Sequence, residues 1–142
     1  MSAFTELILA RLGGDYLLVP LAAVDRVLPA VRPEASGPGR APIVSVDARE
    51  FIVCFGAALL GAARVVVEPS DQMLLLRGPS PLVLWVSAVE ELLQAQIQPL
   101  ADPGSSMLRG VVQVERRSIP VLDPDALFHS HSPQEVAPHA GS

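Results

Sequence analysis

The chain has 142 residues, and its 15 acidic and 10 basic side chains give a net charge of −5. An acidic chain without a basic run lacks the electrostatic footprint of a nucleic-acid-binding protein, so we expect no nucleic acid among its partners. Half of the residues are hydrophobic and only 18% are charged, whereas roughly 25% charged is usual. This composition predicts a well-filled core and some apolar surface for protein partners.

The sequence offers no segment for membrane insertion or secretion. Its longest uncharged apolar stretch, residues 51–63, is too short to span a bilayer and contains two glycines. The first residues have no cationic region ahead of an apolar run, unlike a secretory signal. Cys54 is the single cysteine, which excludes an internal disulfide and suits a reducing compartment. We therefore expect a cytoplasmic protein without direct membrane insertion.

The first half predicts short strands joined by tight turns. Residues 4–12 and 16–19 flank Gly13-Gly14-Asp15, a hairpin signal, and Pro20 ends the second strand or holds it at a sheet edge. Further expected elements are a short helical turn leading into a strand over 21–28, a Pro-rich loop over 29–42, strands over 43–46 and 50–55 around a turn at 47–49, and a helical turn over 57–63 leading into 64–68.

The second half repeats this plan. The expected elements are strands over 72–76 and 82–86, a helical turn over 87–93, an irregular return over 94–100, a loop over 102–106, strands over 107–115 and 118–122, a helical turn over 125–128, and a disordered tail over 129–142. Many short strands separated by Gly and Pro turns indicate an all-β sandwich or barrel.

Two pairs of segments are similar at nearly constant spacing. Residues 44–60 align with 112–128 at an offset of 112 − 44 = 68, and residues 17–28 align with 82–93 at an offset of 82 − 17 = 65. We interpret this as a duplication that gives two half-domains, residues 1–70 and 71–128. The alternative is chance similarity between apolar β-type segments.

Residues with catalytic or metal-binding potential have simpler structural interpretations. Asp123 and Asp125 have the spacing of an acid–base or metal pair, but Asp before Pro ends a strand, and Asp125 suits the first turn of a helix. The three histidines, at 129, 131 and 139, fall in the expected tail, where solvation is the simpler interpretation. Cys54 has no positive neighbour in FIVCF and is expected to be a buried structural thiol. No cofactor, metal or enzymatic activity is therefore expected.

The order of motifs resembles the CheW-like domains, the adaptor modules of bacterial chemotaxis. The resemblance rests on LGGDYLLVPLAAVDRVL near the start, the hairpin ending in Leu59-Leu60-Gly61, LWVSAVEEL in the middle, and LRGVVQVERRSIPVLDPDAL at the end. It extends over residues 4–128. No single motif is specific, but their order is.

The resemblance implies a non-catalytic scaffold made of two small five-stranded β-barrels packed side by side, with short helical turns. It implies two partners: the regulatory domain of a CheA-type histidine kinase, bound by one barrel, and the cytoplasmic tip of a chemoreceptor, bound in a groove near the barrel junction. An apolar groove for a helix and an exposed strand edge are the features that such contacts require.

The resemblance also points to candidate interaction residues. Val24, Arg26 and Val27 follow the first edge strand, where the family has its kinase contact; the alternative is that the two valines seal the first barrel. The charged hairpin turn carries Asp47 and Arg49. Most members have Arg-Gly where this chain has Asp47-Ala48, so the receptor-linked charge is reversed here. Trp85 is expected to face the core or the seam between barrels.

These observations favour an adaptor that couples a chemotaxis-type histidine kinase to a receptor or array partner. A divergent CheW-like module that binds or positions a different partner is the alternative. A small acid-dependent hydrolase would require Asp123 and Asp125 to share a pocket.

Overall fold

The described part of the chain folds into two β-sheets with two short helices. A computed structural model describes residues 4–62, 64–100 and 107–131. The strands are β1 (Thr5–Leu12), β2 (Asp15–Pro20), β3 (Val24–Pro29), β4 (Ile43–Val46), β5 (Arg49–Phe55), β6 (Gln72–Leu76), β7 (Leu82–Val86), β8 (Ala88–Ala95), β9 (Gln98–Pro99), β10 (Leu108–Val114) and β11 (Arg117–Leu122). The helices are α1 (Gly56–Leu59) and α2 (Pro124–Ser130), and a 3-10 turn covers Leu21–Ala23.

Each sheet combines strands from both sequence repeats. The strand order is β8-β1-β2-β11-β10-β9 in one sheet and β3-β6-β7-β5-β4 in the other. The parallel pairs β2–β11 and β5–β7 join the repeats. The all-β fold class is confirmed. The two sheets thus have six and five strands, and β9, with two residues, is the additional one.

Both sheets curl until their edges meet. In the five-stranded sheet, Glu34 follows β3 and exchanges two backbone hydrogen bonds of 2.8 Å with Ile43 of β4, the opposite edge. In the six-stranded sheet, β9 follows the edge strand β8 after two residues and pairs with β10. The five-stranded sheet is thus closed by a backbone bridge, and the six-stranded sheet by the two residues that connect its edge strands β8 and β9. Closure of this kind removes open strand edges. We call the five-stranded one the first barrel and the six-stranded one the second barrel.

The repeats found in the sequence also appear as repeated local structure. The β4–β5 and β10–β11 hairpins both turn on two residues with positive φ, 53° and 64° at Asp47 and Ala48, and 47° and 72° at Glu115 and Arg116. This is the I′ geometry that matches the twist of a hairpin. The two turns are 115 − 47 = 68 residues apart, the offset of the sequence repeat.

Two equivalent bulges strengthen this correspondence. Pairing shifts by one residue at Asp25 in β3 and at Glu90 in β8, which are 90 − 25 = 65 residues apart. Each bulged carboxylate contacts an arginine of the neighbouring strand end: Asp25 lies 3.5 Å from Arg77, and Glu90 lies 3.4 Å from Arg11. The backbone bulge and its ion pair are therefore repeated at the same 65-residue offset as the sequence.

The core has three parts because several strands are buried on both faces. Along β6 and β7, alternate side chains enter the first barrel and the seam between the barrels. A third cluster fills the second barrel. Burial on both faces explains the unbroken apolar runs of these strands. The seam also receives Leu127 and Phe128 of α2, so the C-terminal helix closes the junction.

The helical turn expected over 87–93 is wrong. Residues 88–93 belong to β8, which pairs with β1 at seven positions. The bulge at Glu90 interrupts the alternation of a strand, so apolar residues at 89, 92 and 93 imitate helical spacing. The irregular return over 94–100 is also partly wrong, because β8 continues to Ala95 and β9 follows.

The C-terminal helix starts where expected and ends later. The Asp123 carboxylate accepts hydrogen bonds from the backbone N–H groups of Asp125 and Ala126, at 3.1 and 3.3 Å, as an N-cap does. The helix then runs to Ser130, so residues 129 and 130 are helical rather than part of a tail. The loop expected over 102–106 and the tail from residue 132 lie outside the described residues.

Candidate protein-interaction surface

The candidate residues on β3 divide between core and surface. Val24 is 7% exposed and packs in the seam cluster. Val27 is 39% exposed on the same strand, one of the six large apolar side chains that stand out on the described surface. The bulge at Asp25 lies between the two valines and changes which way the strand presents its side chains. Of the three candidate residues on β3, Val27 and Arg26 are therefore the exposed ones.

Arg26 and Asp47 meet at the rim of the first barrel. The Arg26 Nη2 group donates to Asp47 Oδ2 at 2.9 Å, although the two residues lie on opposite edges of the sheet. Their side chains remain 46% and 75% exposed, so the pair is accessible to a partner. The sequence did not indicate this contact, because β3 and the hairpin turn become neighbours only when the sheet closes.

A hollow of about 340 Å³ lies beside this ion pair. Arg49 extends over its wall, with the guanidinium carbon 5.4 Å from the centre of the Phe51 ring, within cation–π range. Arg77, which the sequence analysis did not select, also lines it. The hollow contains the side chains of three arginines and two aspartates: Arg26, Arg49, Arg77, Asp25 and Asp47.

This rim has one cation in excess, because Asp47 pairs with Arg26 and Asp25 with Arg77. Among the described residues Arg49 makes no ion pair within 4.0 Å and is held by Phe51 alone. A guanidinium presents five N–H donors in a flat fork that matches a carboxylate. The hollow can therefore accept an acidic side chain from a protein partner.

The ion pair of the first barrel is not repeated at the equivalent positions of the second. The repeat offsets place Glu91 at the position of Arg26 (91 − 26 = 65) and Glu115 at that of Asp47 (115 − 47 = 68). Two exposed carboxylates thus replace the ion pair. Aligning the repeats residue by residue would have revealed this difference from the sequence. The second hairpin turn also carries the exposed Arg116 and Arg117, so the two rims differ in how their charges are arranged.

A second hollow, of about 240 Å³, lies near the junction of the barrels and is mainly apolar. Leu12, Phe55, Val66 and Trp85 contribute to its walls. Trp85 is only 4% exposed, which confirms the expectation that it faces the interior. Its ring lies 5.7 Å from that of Phe55. This hollow provides an apolar surface beside the barrel seam.

Asp71 holds Trp85 in place through a hydrogen bond. The sequence alone did not indicate this role. Its carboxylate is 4% exposed, and its Oδ2 accepts from Trp85 Nε1 and from the backbone N–H of Glu68, both at 2.8 Å. The two donors satisfy a buried charge that would otherwise be costly. Asp71 lies just ahead of β6 in a turn, and only the distant Trp85 on β7 explains its burial.

Cys54 is a buried thiol in the seam cluster, as expected. Burial raises its pKa to about 12, so the reactive thiolate is suppressed near neutral pH. Its Sγ lies 3.6 Å from His131 Nε2, while His131 Nδ1 lies 3.0 Å from the Leu127 carbonyl oxygen. His131, which the sequence analysis expected to be solvated, instead holds the end of α2 against β5.

No helix of the described residues is both long and apolar enough to cross a membrane. Asp123 is engaged in capping α2, and the residues described contain no group of three or more His, Cys, Asp or Glu side chains placed to hold a metal ion.

Two closed barrels built from exchanged strands define the chain as a double-barrel β-protein. Residues 6–132 match the family model of the CheW-like domain, and the chain belongs to this family. The fold is similar to the crystal structure of the scaffolding protein TtCheW from Thermoanaerobacter tengcongensis, with a TM-score of 0.70 and 12% identity over 84% of this chain and 89% of that one. A comparison with curated proteins gave no match.

Proposed function

We propose that the protein is a non-catalytic, cytoplasmic adaptor that couples a CheA-type histidine kinase to a chemoreceptor or to another array partner. The observation that carries the proposal is the CheW-like domain matched over residues 6–132, in a fold similar to a protein described as a scaffold. The exposed part of β3 and the apolar hollow at the junction of the barrels support it.

The proposed kinase contact is the exposed part of β3. Val27 supplies an apolar anchor and Arg26 a neighbouring charge. Arginine is enriched among the residues that contribute most to protein interfaces, and an apolar side chain beside it loses its contact with water when a partner covers both. Val24 belongs to the core in this proposal and contributes by holding β3 in place.

The proposed receptor contact combines the apolar hollow at the junction with the charged hairpin turn. Phe55 and Ala57 offer apolar surface for one face of a receptor helix. Arg49 is the cation available for an acidic residue of that helix, and Asp47 is already paired with Arg26. We expect Asp47→Arg to raise the affinity for the receptor tip, because it restores the charge common in the family.

Calorimetric titration with the purified regulatory domain of a CheA-type kinase tests the proposal. Val27→Asp should weaken binding by about tenfold or more, the effect of losing an interface anchor. Leu92→Asp is the matched control, since Leu92 is 63% exposed at the equivalent position of β8 (92 − 27 = 65). Equal binding by the wild type and Val27→Asp would remove β3 from the interface.

The second candidate function is a module that positions a different partner. The Arg26–Asp47 ion pair favours it, since this pair occupies the turn where the family has Arg-Gly. A well-folded chain that binds no kinase regulatory domain would support this second function and contradict the first.

A further inference from the structure

Residues 64–68, with the sequence RVVVE, form an exposed segment between α1 and β6. Val66 is 71% exposed and Val67 is 45% exposed. β-Branched residues strongly favour strands, yet these five residues belong to neither a strand nor a helix. The sequence of this segment is therefore suited to a strand, and within the described chain it has no partner strand.

The backbone of the segment is available on one side. The N–H of Glu68 donates to Asp71 Oδ2 at 2.8 Å. The backbone N–H and C=O groups of residues 64–67 make no hydrogen bond within the described part of the chain. In an extended chain, successive residues direct these groups to opposite sides. If the segment is extended, an N–H of Glu68 that turns to Asp71 leaves the N–H groups of Val65 and Val67 on the opposite side.

The charges at the two ends make the segment complementary to itself. If two copies align antiparallel with Val66 opposite Val66, then Arg64 of each copy faces Glu68 of the other. Val65 then faces Val67, and their outward backbone groups form four hydrogen bonds in this register. Opposite charges and β-branched pairs directly across from each other both stabilise antiparallel strands.

We propose that two copies of this chain associate through residues 64–68 as an antiparallel strand pair. The pairing is isologous, because the same segment contributes both halves of a two-fold contact. Val31, which is 44% exposed, lines a hollow of about 230 Å³ with Val67 and extends the apolar contact. An interface formed by this short segment buries less surface than the roughly 1,600 Å² of a standard protein interface. The dimer is therefore weak, and its population depends on the protein concentration.

Sedimentation velocity over a wide concentration range tests the proposal without any kinase or receptor, so its outcome is independent of the proposed function. The wild type should rise from the monomer mass of 15.0 kDa toward twice that value. Arg64→Glu and Glu68→Arg should each remain monomeric, since each variant alone opposes like charges. An equimolar mixture of the two variants should associate, because the two carboxylates of one variant then face the two guanidinium groups of the other.

The matched control is Arg40→Glu, which makes the same charge change at an exposed site in another loop and should dimerise like the wild type. Val65→Pro removes a backbone donor from the proposed ladder and should abolish association. Trp85 fluorescence and far-UV circular dichroism establish that each variant is folded. A wild type that is monomeric at every concentration, or a mixture that fails to restore association, overturns the proposal. Dimerisation that survives in both charge variants assigns it to another surface and also overturns it.

Discussion

Arg26 donates to Asp47 at 2.9 Å across the closure of the first barrel, linking the two edge strands β3 and β4 at their exposed rim. The acidic residue at the tip of the first hairpin turn thus has a partner within the chain. The position equivalent to Arg26 in the second barrel is Glu91, so this ion pair is not repeated there. The two hairpin turns therefore carry different arrangements of charge.

Reversal of Asp47 should cost little stability and depend on salt. Asp47→Arg places two guanidinium groups together, and for a surface pair the expected loss is about 0.5 kcal/mol. The double variant Arg26→Asp with Asp47→Arg should recover most of it. Urea denaturation at low and high salt measures the effect, which should shrink at high salt because of screening. A loss that is the same at both salt concentrations would contradict an electrostatic origin.

Ala48→Gly should stabilise the protein. Ala48 has a φ of 64°, a left-handed conformation that costs a residue with a Cβ about 1–2 kcal/mol, and glycine adopts it freely. The greater freedom of glycine in the unfolded chain offsets part of the gain, so we expect about 0.5–1 kcal/mol by chemical denaturation. Ala58→Gly, at an exposed site in α1, is the control and should have the opposite sign.

Gly78→Ala should displace α2. A Cβ at this position would overlap the ring of Phe128, which lies in the seam cluster. Overpacking of a filled core costs about 1–3 kcal/mol, measurable as a fall in the denaturation midpoint. Gly14→Ala is the matched control because its surroundings are open and its φ is not positive. Equal effects of the two substitutions would be evidence against close packing of α2 on the turn.

Cys54 should make the folded protein less stable at alkaline pH. Its native pKa is raised to about 12 by burial, whereas an unfolded thiol titrates near 8.5. The stabilisation is present below the unfolded pKa and is lost as pH rises toward the native one, because only the unfolded state releases the proton. The slope is about 1.4 kcal/mol per pH unit. Cys54→Val should therefore show a shallower fall in unfolding free energy between pH 8 and roughly 10.

Asp71→Ala should destabilise the junction and alter Trp85. The substitution leaves the buried indole N–H without its acceptor, at a cost of about 1–3 kcal/mol, and removes the acceptor of the Glu68 N–H as well. A changed Trp85 emission in the native state, together with a lower midpoint of thermal unfolding, would be the expected result. Adding Trp85→Phe should reduce the effect of Asp71→Ala, since one of the two donors is then absent. Additive losses would contradict a direct contact.

Most of the strand positions could be predicted from the sequence because the signals were local. Turns such as Gly13-Gly14 and Asp47-Ala48 separate the strands, and both mark hairpins in the structure. The end of β11 before Asp123-Pro124 and the helical turn that follows were likewise predicted from the Asp-Pro pair and Asp125. Where a turn residue or a cap decides the backbone, neighbouring residues provide enough information.

Distant pairing was harder to predict. β8 is a strand because β1 pairs with it, and the bulge at Glu90 gave its residues a helical spacing. Contacts such as Trp85–Asp71 and Cys54–His131 depend on how the barrels close. The location of Arg26 and Arg49 beside one surface hollow also required the closed sheet. Residue type and spacing alone do not carry this information.

The exchange of strands between repeats has a consequence for synthesis. The β1–β2 hairpin is synthesised first. Its strand β2 can pair with the parallel strand β11 only after Val121, the partner of Leu18, has been added 121 − 18 = 103 residues later. At roughly 5–20 residues per second on the ribosome, that delay lasts roughly 5–20 seconds, during which the apolar faces of the hairpin lack their native cover. Until β11 has been made, the nascent chain therefore depends on a chaperone or on rapid synthesis to protect these apolar faces.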